Sequence, residues 1–383
     1  PAPAGYVHYE EWLKKSSPKE PDYMVDGADC WTIMYTSGTT GRPKGVIRTH
    51  ESYIAQYFLN AVNMGLRPTD KVMLVMPMCH VNSIFYSFPY TLVSAPVFVY
   101  NMVSFDPVDL LKTIEKYKIT FTSLVPTHYI MMLGLPSQVK ARYDVSSMRK
   151  LMISSAPARR ETKLAIMAHF RNSQLFELYG STEAGWVTLL RPDEQITKLG
   201  SVGREWTGSG PVRLLDPNGN EVPDGEVGEL FSRTPYVFAG YWKSPEKTAE
   251  AFRGAWCSVG DMARRDADGY YHLVDRKSNM IISGGENVYP SEVEHLLAGH
   301  PAVQDVAVVG LPDPTWGETV CAAVVRRPGA TATADEILAW CRERIAGYKR
   351  PRAVVFIDEA QMPRTATGKI QHRALRDRLA RRA

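Results

Sequence analysis

Short apolar runs alternate with stretches of helical length through the first half of the sequence, and this alternation constrains the fold more than any other feature. The runs are KVMLVMPM (71–78), APVFVYN (95–101), ITFTSLVP (119–126) and KLMISSAP (150–157). Two parallel neighbouring strands need a crossover connection between them, which is usually a helix. The alternation therefore predicts an α/β fold, with parallel or mixed sheets and flanking helices.

The stretch THESYIAQYFLNAVNMG (49–65) predicts one of these helices. Thr49 is a hydroxyl N-cap candidate, and Gly65 is a typical stop. Apolar side chains recur at helical spacing, so we expect them to pack one face of the helix on the sheet. These side chains are Tyr53, Ile54, Tyr57, Phe58, Ala61 and Val62.

The pattern changes twice further along the chain. From about Pro211, short strands and turn signals predict a small antiparallel β region, which we place at about 208–275. After about Ser278 the expected order is strand, helix, strand, strand, helix, strand, helix, and roughly a hundred residues suffice for a small domain. We therefore expect a large domain over residues 1–277 and a small α+β C-terminal domain over residues 278–383.

The composition limits the class of protein. A chain of 383 residues exceeds the usual single core. With 44% hydrophobic and 22% charged residues, it is typical of a globular protein that folds in water. Its 45 basic and 41 acidic side chains are spread along the sequence, so the net charge of +4 argues against nucleic acid as a partner.

The cysteines and the N-terminus favour a reducing compartment, and we expect a cytoplasmic protein. The five cysteines are odd in number and form no CxxC pair, which suggests neither a disulfide framework nor a zinc site. The first residues, PAPAGYVHYEEWLKK, lack the pattern of a signal peptide and look like a linker. Residues 79–105 carry no charge and are long enough to cross a bilayer, but their prolines and polar groups favour a buried helix followed by the strand APVFVY.

The string WTIMYTSGTTGRPKGV (31–46) carries the main chemical signal. An apolar strand runs into small hydroxyl residues and glycines, whose backbone N–H groups can form a concavity that binds phosphate. The string is not the GxxxxGK[ST] pattern, because Pro43 stands at the second glycine and Gly45 follows Lys44. A plain surface turn would explain a shorter match. The expected phosphate-loop residues are Thr36, Ser37, Gly38, Thr39, Thr40, Gly41 and Lys44.

The whole string resembles the signature loop of adenylate-forming enzymes, the superfamily of acyl- and aryl-CoA ligases, peptide-synthetase adenylation domains and firefly-type luciferases. Four more motifs of that superfamily follow in its order, namely YGSTEAG (179–185), SVGD (258–261), VDRKSNMIISGGENVYPSEVE (274–294) and PRTATGKI (363–370). The C-terminal half resembles aryl acid ligases of the chlorobenzoate type. The resemblance implies ATP and Mg²⁺ as ligands and coenzyme A (CoA) as co-substrate.

The resemblance also implies roles for residues in the YGSTEAG motif. It places Tyr179 against the adenine ring, Thr182 near the phosphates and Glu183 on Mg²⁺, and it makes Gly180 a further nucleotide-binding candidate. A carboxylate suits this metal, which usually binds one or two carboxylates together with substrate phosphates. An STE sequence is also a common helix cap, which is the alternative explanation.

Other nucleotide contacts are implied in the same way. Asp261 resembles the aspartate that accepts from both ribose hydroxyls, and Arg276 lies in the following nucleotide-binding motif. The stretch ISSAPA (153–158) occupies the place of the adenine wall, although Ser154 and Ser155 stand where glycines are frequent. The expected contacts from this wall are made by Ser155, Ala156 and Pro157.

The implied reaction has two steps. An acid and ATP give an acyl-adenylate and pyrophosphate, and a thiol then attacks the mixed anhydride. Lys369 resembles the catalytic lysine of the superfamily, which stabilises negative charge in the first transition state. Gly284 and Gly285 would let the pantetheine arm of CoA pass close to the backbone in the second step.

In the superfamily, the acid lies around MPMCHVNSIFYSF (76–88) and just after the glutamate motif. The implied pocket is aromatic and apolar with few charges, which suits an uncharged aryl, alicyclic or medium aliphatic acid. His80 is equally explained as a packed core histidine. The candidate pocket residues are His80, Val81, Asn82, Phe85, Gly185 and Trp186.

Two departures from the superfamily pattern and two alternative functions stay open. Superfamily members carry a further N-terminal part of the large domain, so the resemblance implies that this sequence is a fragment or lacks a segment. After DRK, where a lysine or an aspartate is usual at the hinge of the mobile C-terminal domain, Ser278 and Asn279 stand instead. An adenylation domain that loads a carrier protein and a catalytically silent nucleotide-binding module are the alternatives, and the oligomeric state is open, a dimer included.

Overall fold

The computed structural model describes residues 2–36, 43–101, 104–155, 158–365 and 368–381. Its helices are α1 (Tyr9–Lys15), α2 (His50–Met64), α3 (Val81–Leu92), α4 (Pro107–Tyr117), α5 (Pro126–Leu133), α6 (Ser137–Lys140), α7 (Arg160–His169), α8 (Pro245–Ala251), α9 (Pro290–Ala298), α10 (Ala334–Trp340) and α11 (His372–Ala380). Its strands are β1 (Cys30–Thr36), β2 (Lys44–Thr49), β3 (Val72–Leu74), β4 (Val97–Val99), β5 (Phe121–Leu124), β6 (Lys150–Ile153), β7 (Gln174–Ser181), β8 (Gly185–Leu190), β9 (Arg204–Glu205), β10 (Val212–Leu215), β11 (Val227–Ser232), β12 (Gly240–Tyr241), β13 (Phe252–Arg253), β14 (Trp256–Cys257), β15 (Asp261–Arg265), β16 (Tyr271–Arg276), β17 (Ile281–Ser283), β18 (Glu286–Val288), β19 (Val303–Asp313), β20 (Gly317–Arg326) and β21 (Ala353–Phe356).

A seven-stranded sheet in the order β4-β3-β5-β6-β7-β8-β9 forms the centre of the first half. The strands β4, β3, β5, β6 and β7 are parallel, and β8 and β9 join antiparallel to them. Each of the four apolar runs forms one of the parallel strands, so the predicted mixed α/β sheet is confirmed. Apolar clusters with helices α2 and α3 on one side and α4, α5 and α7 on the other bury the sheet.

Helix α2 has the predicted ends but only part of the predicted face. The Thr49 hydroxyl accepts from the backbone N–H of Ser52, and Gly65 ends the helix in the left-handed conformation. Tyr53 and Tyr57 are buried as expected. The prediction was wrong for three other apolar residues, since Ile54, Phe58 and Val62 are 52%, 56% and 70% exposed. The buried face instead includes the amides Gln56 and Asn60, which apolar periodicity does not detect.

The antiparallel region is also confirmed. Strands β10 and β11 pair antiparallel within a six-stranded sheet that ends at β16. A third sheet follows, with strands β18-β17-β20-β19 and β21 beside β20. Its order matches the expectation, except that the first strand is a hairpin of two short strands, β17 and β18. A small sheet of β1, β2 and β12 completes the fold and carries part of the candidate site.

The uncharged segment forms separate elements of the core. Within residues 79–105 the chain forms α3 and then β4. Over the described ranges, we find no helix with both the length and the apolar character that a bilayer crossing requires. All five cysteines are free, three of them buried. The N-terminal segment, expected to be a linker, contains the short exposed helix α1.

Candidate active site

The candidate residues of the large sheet gather at the carboxyl edge of its parallel strands. Strand β3 leads to His80, β6 leads to Ser154 and Ser155, and β7 runs to the turn that carries Glu183. In open α/β sheets this edge is where ligands bind. The Asn82 amide donates to the Ser154 hydroxyl at 2.5 Å, which joins the candidate acid pocket to the candidate adenine wall.

Most of the phosphate loop lies outside the described residues, and so do Ala156 and Pro157. This applies to Ser37, Gly38, Thr39, Thr40 and Gly41. The described ends of the loop are Thr36 and Lys44, which face each other as the last pair of the β1–β2 hairpin. The predicted apolar strand before the loop is confirmed as β1.

A hydrogen-bonded chain links Lys44 to Glu183 through a tyrosine that the sequence did not single out. Tyr241 pairs with Val46 in the small sheet, which brings its ring to Lys44. The Lys44 ammonium donates to the Tyr241 hydroxyl at 3.0 Å, and this hydroxyl donates to Glu183 Oε1 at 2.8 Å. Burial lowers the pKa of Lys44, and the carboxylate of Glu183 opposes that shift. A GY dipeptide between two turn signals gives no sequence cue for this role.

Thr182 and Glu183 lie in the tight turn between β7 and β8, so the helix-cap explanation of STE is wrong. The turn needs Gly180, because a Cβ there would lie 2.2 Å from the Gly185 carbonyl oxygen. Glu183 is 6% exposed, and its backbone carbonyl accepts from Phe238 N–H at 2.8 Å. The turn therefore holds the glutamate in place from both its backbone and its side chain.

A buried arginine that the sequence analysis missed supports the same turn. Arg48 is fully buried and donates through Nη1 to the Thr182 carbonyl at 3.0 Å. Its other bonds go to Ser52 and to Gln56 Oε1 on α2, and its guanidinium lies 4.7 Å from the centre of the Tyr53 ring. No carboxylate lies within ion-pair distance of it in the described ranges. Burial lowers its pKa.

Tyr179, Asp261 and Arg276 form a second cluster. The Tyr179 hydroxyl donates to Asp261 Oδ2 at 2.7 Å, and Arg276 Nε lies 2.9 Å from Asp261 Oδ1. Asp261 begins β15 and faces Arg276 at the end of β16, so strand pairing sets the ion pair. Burial and the nearby aspartate raise the pKa of Tyr179, while the aspartate raises the pKa of Arg276. Each carboxylate oxygen keeps a second lone pair that a ribose hydroxyl can use.

Ser155 adopts a backbone conformation that glycine adopts without strain. Its φ is +71°, in the left-handed region, where a side chain raises the energy of the backbone. The resemblance to a position often held by glycine is therefore reflected in the geometry. Such strain is concentrated at functional sites in other proteins.

Lys369 lies in the C-terminal part of the chain, just before helix α11. It follows Gly368 in a tight loop, where the Thr365 N–H donates to the Lys369 carbonyl at 2.8 Å. Partial burial of its ammonium and the nearby Arg276 lower its pKa, while Asp261 opposes the shift. Burial and the Lys369 charge lower the pKa of His80. The charges of Arg276 and Asp261 thus act on the pKa of Lys369, and the charge of Lys369 acts on the pKa of His80.

The candidate acid pocket is only partly as expected. His80 caps α3, since its Nδ1 accepts from the backbone N–H of Asn82 at 3.2 Å. Val81 is half-buried, whereas Asn82 and Phe85 are buried. Trp186 is fully buried, with its ring 5.2 Å from that of Tyr86 and 4.7 Å from that of Trp206. The region is aromatic, but buried amides and Arg48 make it more polar than the sequence predicted.

Gly284 and Gly285 form the turn of the β17–β18 hairpin. Their φ values are +63° and +85°, which suits a two-residue hairpin turn with both central residues at positive φ. A Cβ at Gly284 would lie 2.8 Å from the Trp316 ring. The turn is exposed, and none of its described contacts is with the residues of the nucleotide cluster.

Glu183 fits a magnesium site that is completed by a nucleotide. Among the described residues, no group of three or more His, Cys, Asp and Glu side chains could hold a metal by itself. Only one oxygen of the buried Glu183 carboxylate is bonded to Tyr241. One carboxylate together with substrate phosphates is a usual set of ligands for Mg²⁺.

Comparison with sequence models of families and comparison with individual proteins indicate the same family. The sequence model of the AMP-binding enzymes matches residues 4–242, and that of the AMP-binding enzyme C-terminal domain matches residues 292–369. A feruloyl-CoA synthase of Amycolatopsis sp. is 39% identical over 94% of this chain and 72% of its own length. An indoleacetate–CoA ligase of Aromatoleum aromaticum is 36% identical over 99% of this chain and 73% of its own.

A solved structure has the same fold. An anthranilate CoA ligase in complex with anthranoyl-AMP superposes with a TM-score of 0.84 and 30% sequence identity, over 99% of this chain and 73% of that one. The motifs, the fold and these relatives agree. The chain belongs to the AMP-binding enzyme family, whose members include CoA ligases that form acyl-adenylates.

Proposed function

We propose that this protein is an ATP-dependent carboxylic acid:CoA ligase that forms AMP. The observation that carries this proposal is the cluster in which Asp261 accepts from Tyr179 at 2.7 Å and pairs with Arg276 at 2.9 Å. The charges of Asp261 and Arg276 also act on the pKa of Lys369. A cation between a carboxylate substrate and a nucleotide is what adenylation requires. The relatives named above as CoA ligases support the same reaction.

In the first step, a carboxylate oxygen of the acid forms a bond to the α-phosphorus of ATP. The bond from phosphorus to the bridging oxygen breaks, and pyrophosphate leaves with the electron pair. Negative charge builds up on the non-bridging oxygens, and we assign its stabilisation to Lys369. Asp261 would hold the ribose, Tyr179 the adenine, and Thr182 and Lys44 the phosphates. Glu183 would hold Mg²⁺, which when bound neutralises phosphate charge.

In the second step, the sulfur of CoA forms a bond to the acyl carbon, and the bond from that carbon to the phosphate oxygen breaks. AMP leaves with the electron pair, and the thiol proton passes to solvent. We assign the pantetheine path to the Gly284–Gly285 turn, whose described contacts are with Trp316 and its own hairpin and not with the nucleotide cluster. The assignment therefore requires a second orientation of residues 278–383 relative to residues 1–277, with a pivot at 275–279.

The last strand of the six-stranded sheet ends at Arg276 and the next sheet begins at Ile281, which supports this pivot. Ser278 is exposed in the intervening turn. Two bonds restrict its neighbours, because Lys277 N–H donates to the Gly260 carbonyl and Asn279 N–H donates to the Arg276 carbonyl. Five free cysteines support a cytoplasmic location as part of the same proposal.

The test is acid-dependent exchange of pyrophosphate into ATP, measured with a panel of aryl, alicyclic and medium-chain aliphatic acids. Formation of the CoA thioester from the best acid is then followed by chromatography. We expect exchange with at least one aryl or alicyclic acid and a thioester only when CoA is added. Exchange without transfer to CoA, but with transfer to a phosphopantetheinylated carrier, would favour an adenylation domain. The absence of exchange with every acid would contradict the proposal.

A further inference from the structure

Two amides on the buried face of α2 have hydrogen-bonding atoms without partners. Gln56 is fully buried and Asn60 is 1% exposed. Gln56 Nε2 and Asn60 Oδ1 have no hydrogen-bond partner among the described residues. Buried polar groups are nearly always paired, since an unpaired one loses its bonds to water. Two such atoms on neighbouring turns of one helix therefore form a candidate binding site for a polar group.

The orientation of each amide is determined because its partner can only donate or can only accept a hydrogen bond. Arg48 can only donate, so its Nη2 must bond to Gln56 Oε1, as it does at 3.1 Å. This leaves the Gln56 NH₂ group as a free donor. The Phe85 carbonyl can only accept, so it bonds to Asn60 Nδ2 at 2.9 Å, which leaves Asn60 Oδ1 as a free acceptor.

The free donor and the free acceptor lie one helical turn apart on the same face, where side chains i and i+4 are neighbours. A hydroxyl group is the complement of such a pair, because it accepts one hydrogen bond and donates another. The buried Tyr57 hydroxyl also has no hydrogen-bond partner in the described part of the chain, and Tyr57 belongs to the apolar cluster that contains Phe85 and Trp186. No carboxylate among the described residues pairs with these atoms.

These amides contact the candidate acid pocket. A Cβ at Gly185 would lie 2.7 Å from Gln56 Oε1, so the amide lies directly behind the start of β8. Asn60 bonds to the backbone of Phe85, another candidate pocket residue. The single guanidinium of Arg48 connects Gln56 to the Thr182 carbonyl, which keeps the amides a short distance from the reaction edge.

We propose that the acid used by this enzyme carries a hydroxyl group on the end of its body remote from the carboxylate, and that Gln56 and Asn60 bind this hydroxyl. Gln56 Nε2 donates to the hydroxyl oxygen, and the hydroxyl donates to Asn60 Oδ1. This inference rests on the ligase function proposed above. A fixed water molecule could satisfy the same two atoms, and the test distinguishes it from the substrate hydroxyl.

The experiment compares aryl acids that differ only by hydroxyl against methyl at the 3- or 4-position, in benzoic, phenylacetic and phenylpropenoic series. We measure kcat/KM for pyrophosphate release with the full chain. A site built around a hydroxyl rejects the analogue that lacks it, so we expect the best hydroxy acid to exceed its methyl analogue by about tenfold or more. Equal or reversed preference in all series would overturn the inference and indicate a bound water.

Variants separate a specific contact from a structural role. Asn60→Leu and Gln56→Met should reduce the preference for hydroxyl over methyl to within about twofold, since the loss of one buried contact of this kind accounts for a factor of about ten. Effects that act through Arg48 or through stability fall on both acids and cancel in the ratio. Asn63→Leu is the matched control on the same helix, because the Asn63 amide bonds to the Leu59 and Thr207 carbonyls. An unchanged preference in both test variants would contradict the assignment.

Calorimetry keeps the inference separate from the ligase proposal. Hydroxyl- and methyl-substituted aryl sulfamoyl adenosines, which mimic the acyl-adenylate, are titrated into the unaltered protein. Tighter binding of the hydroxyl compound would support the hydroxyl site even if no acid is turned over, in which case only the ligase proposal fails. Equal binding, or binding of neither compound, would overturn the hydroxyl site.

Discussion

Tyr241→Phe removes one oxygen atom and tests whether the tyrosine positions the candidate magnesium ligand. The hydroxyl donates to Glu183 Oε1 at 2.8 Å and accepts from Lys44 at 3.0 Å, and the ring lies 4.1 Å from the Lys44 ammonium. Phenylalanine keeps the ring and its contact with Phe238 at 4.9 Å, so the packing is retained. The variant therefore affects only the two polar contacts.

The magnitude follows from the charge and burial of the partners. A hydrogen bond to a charged group contributes about 1.5–3 kcal/mol. Tyr241 and Glu183 are 5% and 6% exposed, so solvent does not replace the lost bond easily. Glu183 keeps its backbone bond from Phe238, which limits its displacement. We therefore expect a loss of free energy at the lower end of this range, about 1.5 kcal/mol. It corresponds to about a tenfold increase in the Mg²⁺ concentration needed for half-maximal adenylation.

The assay is the initial rate of pyrophosphate release in a Mg²⁺ titration at fixed ATP and acid. Tyr271→Phe is a matched control, because the buried Tyr271 hydroxyl donates to Glu205 Oε1 at the same 2.8 Å, outside the candidate site. We expect the control to lose stability to a similar extent with an unchanged Mg²⁺ midpoint. If the midpoint of Tyr241→Phe also stays within about twofold of the unaltered enzyme, the tyrosine does not position Glu183 and this reasoning is refuted.

Four further substitutions test the remaining assignments. Lys369→Ala should slow adenylation by roughly 10²–10³ while the transfer of a supplied adenylate to CoA changes little. Lys118 is an exposed lysine paired with Asp144, and Lys118→Ala, the control, should change neither rate. Equal losses in both half-reactions would exclude this role for Lys369. Because the pKa of Lys369 is lowered, adenylation should decline on the alkaline side at a pH below that of an ordinary lysine, as a pH–rate profile would reveal. Glu183→Gln should raise the Mg²⁺ requirement more than Tyr241→Phe, since it removes the charge itself, and an unchanged titration would contradict the metal role. Ser155→Gly should raise the free energy of unfolding by roughly 1 kcal/mol in a denaturant titration because it relieves the positive φ, and a loss of stability would show that the serine side chain outweighs the strain. Ser278→Pro should leave adenylate formation near its normal single-turnover rate and block its discharge by CoA, because proline fixes φ and restricts the preceding residue; normal rates in both steps would place the pivot elsewhere.

The sequence predicted those features that depend on neighbours along the chain. Apolar runs gave the parallel strands, the Thr49 cap and the Gly65 stop gave the ends of α2, and the motif YGSTEAG located the turn that holds Glu183. In each case the physical requirement is local, such as a side-chain acceptor for a helix N-cap or room for a tight turn. The resemblance added roles for these residues, while Ser37 to Gly41 lie outside the described ranges.

The sequence did not predict features that depend on pairing between distant segments. Tyr241 reaches Lys44 across 197 residues because β12 pairs with β2. Gln56 and Asn60 were not part of the predicted apolar face, yet they are buried against β8 and α3 while Ile54 and Phe58 are exposed. Apolar periodicity assigns faces by transfer free energy alone, so it fails where polar side chains form part of the buried face.

Arg48 joins the buried amide of Gln56 and the candidate metal-binding turn in one hydrogen-bonded unit. Its planar guanidinium binds Gln56 Oε1 through Nη2 and the Thr182 carbonyl through Nη1, so neither partner can move without disturbing the other. Breaking one of these contacts leaves a buried charge less well paired, which costs more than the contact alone contributes. Substitutions at Gln56 should therefore also affect the kinetics for ATP, whereas substitutions at Asn60, which does not touch Arg48, should act through the acid alone. This difference follows from the geometry of a single side chain and does not depend on which acid the enzyme uses.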